Sequence, residues 1–279
     1  MSFPSTRTVT VKLTDGLGNR LFQVAAMLAY AERYGHAPVF TRSLILPQAH
    51  AVLEADAVAA IAAYFPSIPI RDTVPTDAVV LRHTNAFGYE PLLEVQGHVV
   101  LEGWFQHVSY LPRSVPQIAL PPTDATAMDG SSAAFLHVRR GDYLNPACAH
   151  HNVDLSSYYA LALALYDETT TIVVCSDDIA WCASELPTKF PRRRWHFFEG
   201  GEGATLACMA RCGRGGICAN STFSWWGAAL GAFGAFGAFG AAGAAEREGG
   251  FWCMPGTWGR PPLPPIVDLY PAWAVVLPV

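Results

Sequence analysis

The densest cluster of charged chemistry is His137-Val138-Arg139-Arg140-Gly141-Asp142-Tyr143. It stands where an apolar run gives way to a loop. Successive strand side chains face opposite ways, so Arg139 and Arg140 cannot both reach one point. One can grip an anionic ligand with its planar fork, while the other pairs internally, for example with Asp142. The competing reading is two surface arginines beside a turn aspartate. A second cluster is Asn220-Ser221-Thr222-Phe223-Ser224-Trp225-Trp226. Ser221 and Thr222 are good N-cap types, and a helix N-terminus there would offer backbone N–H groups to a phosphate. An ordinary capped helix uses the same residues. A third runs from Cys175 to Cys182 and contains Asp177-Asp178. One aspartate can cap the next helix, leaving the other for ribose or base; both can also simply cap. The fourth, Gly16-Leu17-Gly18-Asn19, is a lone glycine pair without the spacing of a dinucleotide fingerprint or a P-loop.

Together these residues supply cations, helix N-termini and carboxylates, a set suited to a nucleotide diphosphate that carries a sugar. No Asp-x-Asp pair accompanies them, since Asp177 and Asp178 are adjacent. The expectation is therefore no metal: arginine and helix dipoles would stabilise the leaving diphosphate. No CxxC pair suggests structural zinc either.

The pattern around these clusters alternates strand and helix. Arg7–Leu13 reads as a strand, Leu21–Tyr34 as a helix ending at Gly35, and Pro38–Thr41 as a strand, a βαβ opening. Prolines 112, 116, 121 and 122 mark a linker within Leu111–Asp129. Strands follow at Ala133–Arg139, Thr171–Ser176, Trp195–Phe198 and Gly216–Ala219. Helices are expected at Leu155–Tyr166, Asp178–Leu186, Ala204–Cys212 and from Thr222 onward. Apolar strands separated by helices predict parallel sheets covered on both faces. The expected fold is α/β and GT-B-like, with two Rossmann-like domains, 1–120 and 121–279, facing a cleft. Ligands in such sheets sit beyond the carboxyl ends of the strands.

Bulk composition narrows the partners. The 279 residues are 51% apolar and 15% charged, with a net charge of −5 and no basic stripe, which argues against nucleic acid. Seven cysteines, an odd number, with no apparent signal peptide argue against a disulfide framework and for a cytoplasmic protein. Trp225–Ala245 is long enough to span a bilayer, but its alanines and glycines favour insertion weakly, so no membrane span is expected. The repeat GAFGAFGAFG, Gly231–Gly240, reads as a low-complexity expansion within a helix or loop.

The chain resembles glycosyltransferase family 11, the α-1,2-fucosyltransferases. The resemblance is carried by Gly16–Gln23, by Gly103-Trp104-Phe105-Gln106 with Tyr110, and by His137–Asp142. It continues through Tyr158-Tyr159, Ser176-Asp177-Asp178 with Trp181, Asn220–Gly227, Pro255 with Trp258, and Tyr270-Pro271-Ala272-Trp273. It implies an inverting enzyme that uses GDP-β-L-fucose and fucosylates the 2-hydroxyl of a terminal galactose in a glycan. It also implies that Arg139 contacts the β-phosphate, as the main catalytic cation, and that His137 contacts guanine. Ser221, Thr222, Phe223 and Ser224 would hold the pyrophosphate, Asn19 would approach from the other domain, and Gly16, Gly18, Asp142, Asp177 and Asp178 would complete the donor site. Asp15, Arg20 and Thr205 stand where the family usually has Gly, Gln and Asp. That Asp reads guanine, so Thr205 or Glu202 would have to serve the base. Transfer of another sugar, such as rhamnose or xylose, and a non-catalytic glycan- or nucleotide-binding derivative are the alternatives.

Overall fold

A computed structural model describes residues 7–46, 57–85, 88–113, 117–121, 130–233, 250–263 and 268–279. The chain divides into two compact units, Met1–Ala119 and Leu120–Val279.

In the N-terminal unit, β1 (Thr8–Val11) is wholly buried and leads into α1 (Leu17–Tyr34) and β2 (Ala37–Pro38). The helix begins four residues earlier than its apolar spacing suggests. Gly16 is its extended N-cap, and the Gly16 carbonyl accepts from the amides of Asn19 and Arg20. Gly18 and Asn19 therefore lie in the first helical turn rather than in a loop. Gly35 ends the helix with φ +70°, a conformation that glycine adopts without a Cβ clash. β3 (Phe40–Thr41), α2 (Ala57–Tyr64) and β4 (Ile70–Arg71) follow, with β3 and β4 forming a separate parallel pair. β5 (Val79–Arg82) and β6 (Val99–Glu102) complete a parallel sheet in the order β2-β1-β6-β5.

The C-terminal unit alternates regularly. Its elements are β7 (Ala133–Val138), α3 (Ser156–Leu163), β8 (Thr171–Ser176), α4 (Ile179–Lys189), β9 (Arg194–Phe197) and α5 (Glu202–Arg211). β10 (Gly215–Ile217), α6 (Thr222–Phe233), β11 (Phe251–Pro255) and β12 (Val275–Leu277) follow. The six strands are parallel, in the order β12-β11-β10-β7-β8-β9. Numbered from β7, this is 3-2-1-4-5-6, the strand order of the dinucleotide-binding Rossmann fold. β7 is buried at every position, as an apolar strand covered on both faces must be. Its core packs Leu136, Val138, Tyr158, Leu163, Val174 and Leu186 together. The α/β class with parallel sheets expected from the sequence is thus observed in both units. α4 runs three residues past its expected end at Leu186 and contains Pro187. The ring falls in the last turn and removes the hydrogen bond that the Ala183 carbonyl would otherwise accept, close to where the helix ends at Lys189.

Among the described residues, no helix is long and apolar enough to cross a membrane. The Trp225–Ala245 segment is described only as far as Phe233, within α6, and most of the GAF repeat lies outside the described residues.

β10 depends on a small residue at its centre. Gly216 pairs with Phe135 of β7, and a Cβ there would run into the Phe135 ring. Gly216→Ala is expected to cost about 1–3 kcal/mol by overpacking, with part restored when Phe135→Leu is added. Urea unfolding of the two variants checks this; an unchanged midpoint for Gly216→Ala would contradict it.

Candidate functional site

Strand order reverses between β7 and β10. The crossovers β7–α3–β8 and β10–α6–β11 leave that point in opposite directions, so the loops after β7 and β10 part and open a crevice beyond the strand ends. His137 to Asp142 and Ala219 to Ser224 are the two lips of this crevice. Asp177 and Asp178 follow β8, next to β7.

The two arginines, both just past the end of β7, diverge. Arg139 Nη2 lies 2.6 Å from Asp142 Oδ1, and its Nη1 lies 3.0 Å from Asp177 Oδ2. Its guanidinium also lies 5.6 Å from the Tyr143 ring centroid and remains partly exposed. Arg140 turns the other way. Its Nε donates to Asp178 Oδ2 at 3.0 Å, and its guanidinium stacks 3.8 Å from the Trp181 ring centroid. The Arg140 hydrogen bond holds the Asp178 carboxyl below the usual carboxylate range. Asp178 also caps α4, its Oδ1 accepting from the Trp181 amide at 3.2 Å. Asp178 is thus the capping aspartate, and Asp177 is the one that the sequence leaves for ribose or base. Asp177 binds Arg139 through one oxygen and accepts from the Arg140 amide through the other, at 2.9 Å. Gly141 makes this possible, because a Cβ there would collide with the Asp177 carboxylate.

His137 is 4% exposed, and its ring faces Phe223 at 5.7 Å. Burial, with the neighbouring Arg139 charge, pushes its pKa down to about 3, so the imidazole is neutral. Among the described residues, its buried Nδ1 meets no hydrogen-bond partner.

The second lip is built by hydrogen bonds. Ser221 Oγ accepts from the Phe223 amide at 3.3 Å, an ST-type turn at the start of α6. Ser224 Oγ donates to the carbonyls of Ala219 and Ser221 and is fully buried. Ser224 therefore shapes the turn. Thr222 and Phe223 form the first turn of α6 and stay partly exposed. Trp225 and Trp226 anchor the helix in the core, and Trp225 Nε1 donates to Leu269 O at 2.8 Å.

Several residues that sequence reasoning left out of the site hold these loops together. Tyr143 donates its hydroxyl to Asn220 O at 3.0 Å, joining the two lips. Burial drives that phenol far above its ordinary pKa, so it stays a donor. Asn220 Nδ2 donates to His151 O and Trp258 O, each at 2.8 Å. Tyr159 donates to His137 O at 3.0 Å. Tyr143 and Asn220 sit inside the two motifs, so position alone could have marked them.

Glu202 and Thr205 lie at the start of α5, after β9. Thr205 Oγ1 donates to Gly200 O at 3.2 Å, which commits its proton to the helix N-terminus. In the N-terminal unit, Asp15 adopts φ +62°, the region that glycine enters freely. The nearby Asn19 Oδ1 accepts from Gln106 Nε2 at 3.0 Å. Arg20 is buried, donating to Asp15 O and Leu46 O. A groove of about 510 Å³ in this unit, bordered by Tyr30, Arg33, Tyr34, Tyr89 and Arg113, contains none of the candidate residues. Among the described residues, no group of three or more His, Cys, Asp or Glu could hold a metal ion.

Of the comparisons with known proteins, the family-model match falls wholly within the C-terminal unit. Residues 125–236 match the family model described as Glycosyl transferase family 11. The chain is 32% identical over 114 residues to the O-antigen biosynthesis glycosyltransferase WbnK of Escherichia coli, covering 38% of this chain and 36% of that protein. It is 25% identical over 196 residues to a galactoside 2-alpha-L-fucosyltransferase of Caenorhabditis elegans, covering 64% and 54%. It is 30% identical over 138 residues to an alpha-1,2-colitosyltransferase of Escherichia coli, covering 47% and 48%. The chain thus spans between about a third and about a half of the length of these relatives. Among solved structures, NodZ alpha-1,6-fucosyltransferase soaked with GDP-fucose aligns at 16% identity and a TM-score of 0.47, over 79% of this chain and 91% of that one.

The buried neutral His137 sets a pH dependence. In the unfolded chain it titrates near 6.5, and in the fold only near 3. Its contribution to stability is therefore intact above 6.5 and is lost as pH falls towards 3. His137→Gln is expected to flatten the fall in urea midpoint over that window relative to the parent protein. Parallel falls in the two proteins would contradict the assignment.

Proposed function

We propose that the chain is an inverting, metal-independent fucosyltransferase that moves L-fucose from GDP-β-L-fucose to the 2-hydroxyl of a terminal galactose in a glycan. The observation that carries this reading is positional. The stretch matching family 11 contains the strand-order reversal, and the reversal is lined by Arg139, neutral His137 and the first turn of α6. The fucosyltransferase name of one relative supports the sugar and the linkage.

In this reading the diphosphate lies across the crevice. The first-turn amides of α6 and the Arg139 fork face its oxygens. The bond from fucose C1 to the β-phosphate oxygen breaks, and its electron pair leaves on GDP. The galactose 2-oxygen attacks C1 from the opposite face and releases its proton to water, so a β-linked donor yields an α-linked product. Arg139 stabilises the charge that develops on the phosphate, already oriented by Asp142 and Asp177. His137, uncharged, offers ring nitrogens to the base without adding charge to the pocket. A second reading, transfer of a different sugar, is favoured by Thr205 and by the relative named for colitose transfer.

The test is a transfer assay with GDP-fucose and a β-galactoside in EDTA, with the linkage read by NMR. An α-1,2-fucosylated product formed at an undiminished rate is expected. Turnover only with another nucleotide sugar would move the function to the second reading, and a strict Mg²⁺ or Mn²⁺ requirement would overturn metal independence. Binding of GDP with no turnover of any donor would point to a non-catalytic derivative. In the same assay, Arg139→Lys keeps the charge but loses the fork, and kcat is expected to fall by about 10²–10³. A folded Arg139→Lys with near-parental kcat would refute that role.

A further inference from the structure

Trp104 is unusual for a residue of its size. Its indole is 45% exposed, yet it does not hang loose. Its Nε1 donates to Asp15 Oδ2 at 2.8 Å, and the same oxygen accepts from Thr14 Oγ1 at 3.0 Å. Both ends of its segment are tied to the start of α1. Gly103 O accepts from Gln23 Nε2 at 3.2 Å, and Gln106 Nε2 donates to Asn19 Oδ1 at 3.0 Å. Gly103 itself has no room for a Cβ, which would meet the backbone carbonyl of His83.

The backbone is strained at the same place. Among the described non-glycine residues, Asp15 with φ +62° and Phe105 with φ +54° are those in the left-handed region. Phe105 is a bulky residue for which this conformation is a true outlier. One left-handed residue supplies the carboxylate that pins the indole. The other sends the Phe105 ring into the core, against His83 and Tyr110, and leaves Trp104 facing out. Core packing does not require that arrangement: Phe105 fills the interior, whereas Trp104 keeps nearly half its surface in water. Strain concentrated around a pinned, exposed ring points to a ligand.

We propose that Trp104 is a stacking platform for a pyranose, with the galactose unit of the acceptor as its occupant; the identity of that sugar rests on the function proposed above. An indole face carries negative potential, and sugar C–H groups are its complement. In galactose the axial 4-hydroxyl lies on one face, leaving H3, H4 and H5 as a continuous C–H patch on the other. In glucose the equatorial 4-hydroxyl interrupts that patch. The Asp15 carboxylate borders the platform and can meet hydroxyl groups at the sugar's edge.

The experiment pairs kinetics with binding on the full chain. Trp104→Ala is expected to raise KM for a β-galactoside acceptor about tenfold, with Trp104→Phe intermediate and with kcat and the donor KM little changed. Asp15→Ala, which releases the indole, should move KM the same way while the ring remains. Saturation-transfer NMR with methyl β-galactoside should show its strongest signals at H3, H4 and H5 in the parent protein and lose them in Trp104→Ala. Methyl β-glucoside should give weaker signals throughout. Urea midpoints of the variants confirm folding. A parent protein that fucosylates galactosides while Trp104→Ala keeps the parental KM and NMR signals overturns the platform alone. A parent protein that neither transfers to galactosides nor shows their NMR signals, while still stabilised by GDP, overturns the acceptor reading itself.

Discussion

The reversal of strand order between β7 and β10 is the constraint on which the candidate site depends. Right-handed crossovers on either side of it carry the chain away in opposite directions, so no loop can close the gap. What remains is an opening at the carboxyl ends of two buried strands. The chain places polar side chains there: Arg139 beside β7 and the buried polar turn Asn220–Ser221 beside β10. The Tyr143–Asn220 hydrogen bond is the tie that keeps the two lips at a fixed spacing.

Electrostatics then decides what the opening accepts. The cluster holds two arginines and three aspartates, so without a ligand its charges nearly cancel. That balance keeps Arg139 oriented at modest cost, since each terminal nitrogen already faces a carboxylate. A guanidinium has five N–H donors, and two ion pairs leave donors for an incoming anion. A lysine could not serve both carboxylates and a phosphate from one point charge with the same directionality. Arg140, stacked on Trp181 and bound to Asp178, braces the loop from behind. The division of labour between two adjacent arginines is set past the end of β7, where Arg140 leads into the 3-10 turn Gly141–Leu144.

Much of this was legible in the sequence. The strands β7 and β8 were plain because their apolar runs leave no helical stripe, and the clusters stood out at their ends. Alternation anticipated that Arg139 and Arg140 part, and they do, although both stand past the end of β7 and outside the strand itself. It could not say which arginine Asp142 would choose, because that depends on how the 3-10 turn at Gly141–Leu144 folds back. The capacity of Asp177 to hold Arg139 was hidden for a similar reason: it needs the missing Cβ of Gly141, thirty-odd residues away. The start of α1 was misjudged because Gly18 and Asn19 have turn-like propensities, which the Gly16 carbonyl overrides by accepting two helical bonds. The reversal itself could not be read, since strand order is set by long-range packing that periodicity does not encode.

Hydrogen–deuterium exchange with and without GDP tests the central claim most directly, that a nucleotide diphosphate occupies the strand-order reversal. Slowed exchange is expected in residues 137–143 and 219–224, the two lips, with a smaller effect at 176–178. Residues of β12, at the far edge of the same sheet, should be unaffected. Protection absent from both lips at saturating GDP would contradict the account.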